Sequence, residues 1–157
     1  MPISATGSNA RHRDAGFTLV ELMVVMTIIG VLSAAVVIVM PDPRGRLGDE
    51  ATAFAARLVA ARDLSIVGGR DVAVRIDAGG YGFAERGNTG WRPIAAKALA
   101  PRRWGDGVAA TPAVEGGAAL VFDTTGLATP AQVRLQRDGA QALVTVDSGG
   151  AVRIDGR

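Results

Sequence analysis

Few of the 157 residues could do chemistry. Glu21 stands out. It lies five residues into an apolar run, Phe17 to Met40, that holds no other charge. A carboxylate inside an apolar layer is costly and is usually kept for function. Its natural chemistry is charge pairing, because a lone buried ion is expensive and a buried pair is much less so. The chain has no cysteine, so a disulfide framework and a thiolate metal site are both excluded. Its one histidine is His12, upstream of the apolar run, so the remainder has no imidazole for acid–base or metal chemistry. Asp71, Asp77, Asp123 and Asp147 fall near expected strand ends, but the D-x-[DN]-x-[DN]-G calcium loop is missing. Gly pairs at 68–69, 79–80, 116–117 and 149–150 belong to neither GxxxxGK[ST] nor GxGxxG and read as turns. Trp91 and Trp104 flank Arg92, Arg102 and Arg103. Either a partner-binding patch or indole rings covered by arginine stems fits that spacing. No cofactor, metal or catalytic constellation is expected, so the chain does not read as an enzyme.

As a helix, the 24 residues from 17 to 40 would extend roughly 36 Å, more than the roughly 30 Å hydrocarbon core of a bilayer. An apolar surface on every side fits a membrane span and not an amphipathic surface helix. Arg11 and Arg13 upstream predict a cytoplasmic N-terminus by the positive-inside rule, and Arg44 and Arg46 weaken that bias. Gly30 and Ser33 are small residues that would let helices approach closely in a membrane.

Pro41-Asp42-Pro43-Arg44-Gly45 interrupts the pattern. Asp49 is then an expected N-cap for a helix over 50–67, with Phe54, Leu58 and Ala61 on its apolar face and Val59 and Ile66 alongside. Gly68-Gly69 is the expected stop. From Arg70 the period changes to two. Residues 71–86 read as a hairpin, followed by a turn at 87–90. Residues 96–117 read as a long loop with short edge strands. Further strands are expected around 119–122, 133–135, 143–146 and 152–154. The total is one helix followed by about seven strands with connections short enough for antiparallel pairing. Without residues 1–16 the formal charge falls from +2 to +1, which demands no polyanionic partner.

Gly16-Phe17-Thr18-Leu19-Val20-Glu21 and the apolar run after it resemble the processing site of type IV pilins and type II secretion pseudopilins. Leu120-Val121-Phe122-Asp123-Thr124-Thr125-Gly126-Leu127 and the Gly-Ala-Val-Arg-Ile ending resemble the H-type minor pseudopilins of the GspH/FimT family. So do Tyr81-Gly82-Phe83 and Gly90-Trp91-Arg92-Pro93. The resemblance implies an α+β, type IV pilin-like fold, with a long N-terminal transmembrane helix packed on an antiparallel β-sheet head. It implies a cleaved leader over 1–16, a transmembrane helix over 17–40, the periplasmic part of the N-terminal helix over 41–69, and a β-rich head over 70–157. A prepilin peptidase would cut between Gly16 and Phe17, and Phe17 would be N-methylated. Glu21 would pair with a neighbouring subunit's new amine. The implied partners are that peptidase, inner-membrane lipid, and other major and minor pseudopilins met through the N-terminal helix. The implied location is the bacterial inner membrane, single-pass, with a periplasmic head. The pilin spine often carries a proline where this chain has Ile38, so any local melting during assembly would centre on Gly30. The alternative within the family is a FimT-type minor pilin that serves pilus assembly or holds DNA during uptake. Arg134, Arg137, Arg153 and Arg157 would then be the contacts, and they should form a cluster whose affinity falls steeply with salt.

Overall fold

The computed structural model describes residues 18–39, 43–117 and 119–156, with side chains from 35 to 44 outside the described set. Gly16, Phe17, His12 and Arg157 also lie outside it. The chain divides into two compact units, Met1–Pro41 and Asp42–Arg157.

The first unit contributes helix α1, Leu19–Val39. It is helical through Gly30, and its described apolar side chains, from Leu19 to Leu32, are all exposed. Among the described residues no helix is long and apolar enough to cross a membrane. The described side chains of α1 stop at Ala34, so the transmembrane segment expected over 17–40 reaches past them at both ends.

The second unit opens with helix α2, Pro43–Gly68. This start corrects the expectation of a cap at Asp49. Pro43 heads the helix, where its missing N–H costs nothing and its fixed φ is already helical. A Pro-Asp-Pro-Arg-Gly string thus begins a helix as well as breaking a pattern. Past the other end, the Arg70 N–H donates to the Ser65 carbonyl at 3.3 Å, the wide bond of a Schellman stop across Gly69. Leu47, Ala51, Phe54, Leu58, Ala61 and Ser65 recur at helical spacing, and all are buried. Ser65 is tolerated there because its hydroxyl donates to the Arg62 carbonyl at 2.7 Å. Val59 and Ile66 are more than 40% exposed. They sit beside the buried stripe and not in it, as the 100° step per residue dictates.

Among the described residues nine strands follow, against about seven expected. Strands β1 (Val72–Asp77), β2 (Gly80–Gly87), β3 (Gly90–Pro93), β4 (Arg102–Arg103) and β6 (Leu120–Phe122) form one sheet. Its order is β3-β2-β1-β6, and β4 also pairs with β2. Strands β5 (Ala109–Val114), β7 (Ala131–Arg137), β8 (Ala140–Val146) and β9 (Val152–Gly156) form the second sheet in the order β5-β7-β8-β9. The pairings in both sheets are antiparallel. β4 and β5 fall in residues 96–117, expected to hold short edge strands and a long loop without bounds for the strands. β4 is only two residues long, and β5 carries Pro112, which an edge strand accepts because no N–H is needed on its open side.

α2 packs against both sheets. Phe54 anchors an aromatic cluster, with edge contacts to Tyr81 at 4.7 Å and Trp104 at 5.1 Å between centroids. Trp104 is buried, and its indole N–H donates to the Asp77 carbonyl at 2.9 Å. Each fully buried side chain of this size contributes roughly 1.5–3 kcal/mol by leaving water.

Candidate functional site

At the start of α1, Thr18 is the residue before the first helical turn. Its hydroxyl oxygen accepts the Glu21 N–H at 3.2 Å, and its carbonyl accepts the Leu22 N–H at 3.2 Å. Thr18-Leu19-Val20-Glu21 therefore has the spacing of a capping box, with Glu at the third helical position. The Glu21 carboxylate also lies at the positive end of the helix dipole, a favourable place for an anion. The side chain is exposed, and every described neighbour on α1 is apolar or a small hydroxyl residue. The geometry thus presents one carboxylate on an otherwise uncharged helix, free to meet a cation from another molecule. The capping spacing was visible in the sequence as T-x-x-E. Gly16 and Phe17, the residues expected at the cut and the methylated terminus, lie outside the described residues.

In the second unit, the family-like segments around Asp123 and Asp147 come together as two adjacent turns. The Asp123 Oδ1 accepts the Thr125 hydroxyl at 2.7 Å, the Thr125 N–H at 2.8 Å and the Leu127 N–H at 3.0 Å. Asp147 repeats the device, accepting the Ala151 N–H at 3.0 Å. The Ala128 N–H donates to the Ser148 carbonyl at 3.0 Å, tying one turn to the other. Arg62 of α2 reaches over both: its Nε donates to the Gly126 carbonyl at 3.0 Å and its Nη2 to the Gly149 carbonyl at 3.5 Å. Nothing in the sequence announced Arg62, because its partners lie 64 and 87 residues away. Gly150 has φ +76°, and a Cβ there would collide with the Gly126 carbonyl oxygen and crowd the Arg62 guanidinium. Gly150→Ala should therefore lower stability by about 3 kcal/mol. A thermal melt within a degree of wild type would refute that close packing.

The Thr125 hydroxyl, followed by the backbone N–H groups, holds the Asp123 carboxyl below the usual carboxylate range. Its contribution is complete above the ordinary value of about 3.9 and is lost as pH falls through the depressed folded value. Asp123→Asn should flatten the acid limb of the stability–pH curve below about pH 4. An unchanged acid limb would remove Asp123 from the account.

The other expected acids serve turns and pairs. Asp77 Oδ1 accepts the Gly79 and Gly80 N–H groups at 2.8 and 3.0 Å, and Asp71 lies 3.9 Å from Arg86. Among the described residues no group of three His, Asp or Glu could hold a metal. Trp91 is covered by an arginine, as one reading of the sequence allowed, but by Arg86 at 4.4 Å and not by Arg92. Glu50 Oε1 and the Tyr81 hydroxyl are buried without a hydrogen-bond partner among the described residues, and burial pushes the Tyr81 phenol up.

Of the arginines considered for DNA, Arg157 lies outside the described residues, and the other three do not share one face. Strand alternation places Arg134 and Arg153 on one face of their sheet and Arg137 on the other. Arg137 is 3.4 Å from Asp138, and Arg153 is 3.4 Å from Asp147.

Residues 50–150, well over half of the chain, match the family described as Type II transport protein GspH. The chain belongs to the GspH family. Residues 11–37 of this GspH-family protein also match the prokaryotic N-terminal methylation motif. A curated relative, Type II secretion system protein H of Aeromonas hydrophila, is 38% identical over 78 residues. That stretch covers 48% of this chain and 43% of the relative, so less than half of the relative's length is matched. Two solved structures share the fold. The minor pseudopilin EpsH from the Type 2 Secretion System of Vibrio cholerae has a TM-score of 0.63 at 22% identity, covering 71% of this chain and 97% of EpsH. The type IV minor pilin FimU of Pseudomonas aeruginosa has a TM-score of 0.50 at 16% identity, covering 69% of this chain and 92% of FimU. The expected α+β, pilin-like fold with a helix packed on antiparallel sheets is therefore the observed one, and the helix that packs is α2.

Proposed function

We propose that this protein is a minor pseudopilin of type II secretion, assembling into the periplasmic pseudopilus that drives protein export. The observation that carries the reading is one chain joining an N-terminal methylation motif over 11–37 to a GspH head over 50–150. Prepilin peptidase removes residues 1–16 by cutting between Gly16 and Phe17, and the new terminus on Phe17 is methylated. Residues 17–40 anchor the protein in the bacterial inner membrane with the head in the periplasm. The exposed apolar surface of α1 supports lipid and helix contacts there. Glu21 supplies the charge that a neighbouring subunit's amine needs inside the apolar bundle. The protein works by assembly and transmission of motion, with no catalytic step of its own. Deleting the gene from its host should trap enzymes exported by the type II route in the periplasm, and a plasmid copy should restore their release. Normal export from the deletion strain would sink the proposal.

A further inference from the structure

The solvent side of the first sheet is not built like the solvent side of the second. In the second sheet the outward positions include Gln132, Arg134, Gln136, Gln141 and Thr145, the polar alternation of a face that meets water. In the first sheet Val72, Val74 and Ile76 of β1 face the core, as do Tyr81 and Phe83 of β2. The outward residues are then Ala73, Arg75 and Asp77 on β1, and Gly80, Gly82, Ala84 and Arg86 on β2, so the charged residues lie toward the two ends and the middle is small and apolar. The register sets Val121, Ala73, Ala84 and Pro93 side by side across β6, β1, β2 and β3. This row carries no polar side chain. Trp91 stands beside it, 42% exposed.

The sheet edge is also notched. β3 pairs with β2 from Ala84 onward, with the Ile94 N–H donating to the Phe83 carbonyl at 3.4 Å, and β4 pairs up to Tyr81, so the gap between them falls at Gly82. Pro101 lies over Gly82, 3.7 Å from where a Cβ would be. Small residues on the floor and Trp91, Pro93 and Pro101 as walls leave an open groove of about 660 Å³. An apolar groove kept open on a charged surface marks an interaction site.

Its charge says what fits. Arg75 lines the groove, and Arg75, Arg102 and Arg103 line the hollow that adjoins it. All three are exposed, and among the described residues they make no ion pair. Other arginines of the same sheet do: Arg92 is 2.6 Å from Glu85, Arg70 is 3.9 Å from Glu85, and Arg86 is 3.9 Å from Asp71. Asp77, the acid nearest this end, spends its Oδ1 on its own turn. Three arginines against the one carboxylate of Asp77 in that hollow leave a net positive charge beside an apolar slot, which complements an acid beside an apolar side chain. Four strands set the length at about 14 Å, enough for about four extended residues.

We propose that this groove docks an extended segment of a different protein, one that carries a large apolar side chain next to an aspartate or glutamate. The apolar residue fills the slot between Trp91 and Pro101, and the acid meets Arg75 and Arg103, which the register with Gly82 and Gly80 sets on the same face. The proposal stands on the groove alone and does not depend on the secretion assignment.

The test is photo-cross-linking of the full-length protein in its host. The probe replaces the indole at the groove wall, Trp91→p-benzoylphenylalanine, and a control carries it on the other sheet, Gln141→p-benzoylphenylalanine. The Trp91 probe should give an adduct with another protein, mapped by mass spectrometry to an apolar–acidic segment, and the Gln141 control should not. Combining the probe with Arg75→Glu and Arg103→Glu should lower the yield by about fivefold or more, since each exposed ion pair is worth up to about 1 kcal/mol. Arg75→Gln should lower it less, and guards against misfolding of the doubly reversed variant. Thermal melts of all variants should match wild type. An adduct with a second copy of this chain, an adduct with phospholipid, no adduct, or a yield indifferent to Arg75 would each overturn the proposal.

Discussion

Gly16→Val should leave the precursor uncut in the membrane, with processing slowed about a hundredfold or more. The motivation is steric. The proposed scissile bond follows a residue with no side chain, and the next residue is the large Phe17. A peptidase site shaped for hydrogen at that position must accommodate an isopropyl group, and overpacking of a closed site costs about 3 kcal/mol. In rate terms that is about two powers of ten. Membrane targeting should survive, because the apolar run from Phe17 to Met40 is unchanged. Intact-mass measurement after co-expression with the cognate peptidase reads the result directly. Wild type should lose residues 1–16 and gain one methyl group, and the variant should retain its full length and carry no added methyl. If wild type keeps residues 1–16 under those conditions, the processing assignment is wrong. If Gly16→Val is cut as fast as wild type, the steric explanation is wrong while the cut itself stands.

How much of this was legible in the sequence depended on how local the cause was. The stripe Phe54, Leu58 and Ala61, the helix stop at Gly68-Gly69, and the alternation from Val72 to Ile76 are periodic signals within a few residues, and the structure follows them. The turn at Asp138-Gly139 was equally local: both residues have positive φ, 48° and 81°, the geometry of a two-residue hairpin. The start of α2 was not legible, because the same proline that ends one helix can head the next. β4 and β5 were missed as distinct strands because they are held by register with β2 and β7, not by their own composition. Trp104 gave no sign of being buried, since its partners Phe54 and Tyr81 sit 50 and 23 residues upstream. Arg62 is the clearest case of a nonlocal cause. Its role exists only once two distant turns have been brought under the end of α2. At the candidate assembly site the position of Glu21 was plain from one charge in an apolar run. The Thr18 cap is equally local, written in the T-x-x-E spacing.

That cap sharpens the prediction for Glu21, because it gives the residue two separable jobs. As the third helical residue it has capping-box spacing and gives its N–H to the Thr18 hydroxyl at 3.2 Å, and there Gln serves nearly as well as Glu. As a carboxylate it can neutralise an amine, and there Gln cannot serve. Removing the charge should ease membrane insertion, since an ionised side chain costs up to about 2.5–3.5 kcal/mol near mid-membrane and less toward the interface. Cleavage should continue if the peptidase reads Gly16. Assembly should fail. A neighbour's ammonium on its mature terminus would be left unpaired within the apolar bundle, and breaking a buried pair from one side costs about 3–5 kcal/mol. That is a loss of at least about a hundredfold in recruitment. Glu21→Ala and Glu21→Gln should therefore be processed, remain in the membrane and drop out of cross-links to partner pseudopilins, with secretion lost. Thr18→Ala is the matching control. It removes the hydroxyl that accepts the Glu21 N–H at 3.2 Å, costs about 1 kcal/mol of helix stability, and keeps the charge, so it should still assemble. If Glu21→Gln assembles and secretes like wild type while Thr18→Ala does not, Glu21 acts through the helix cap and the charge-pairing account is wrong. If both Glu21 variants behave as wild type, the carboxylate is a passenger in the apolar run.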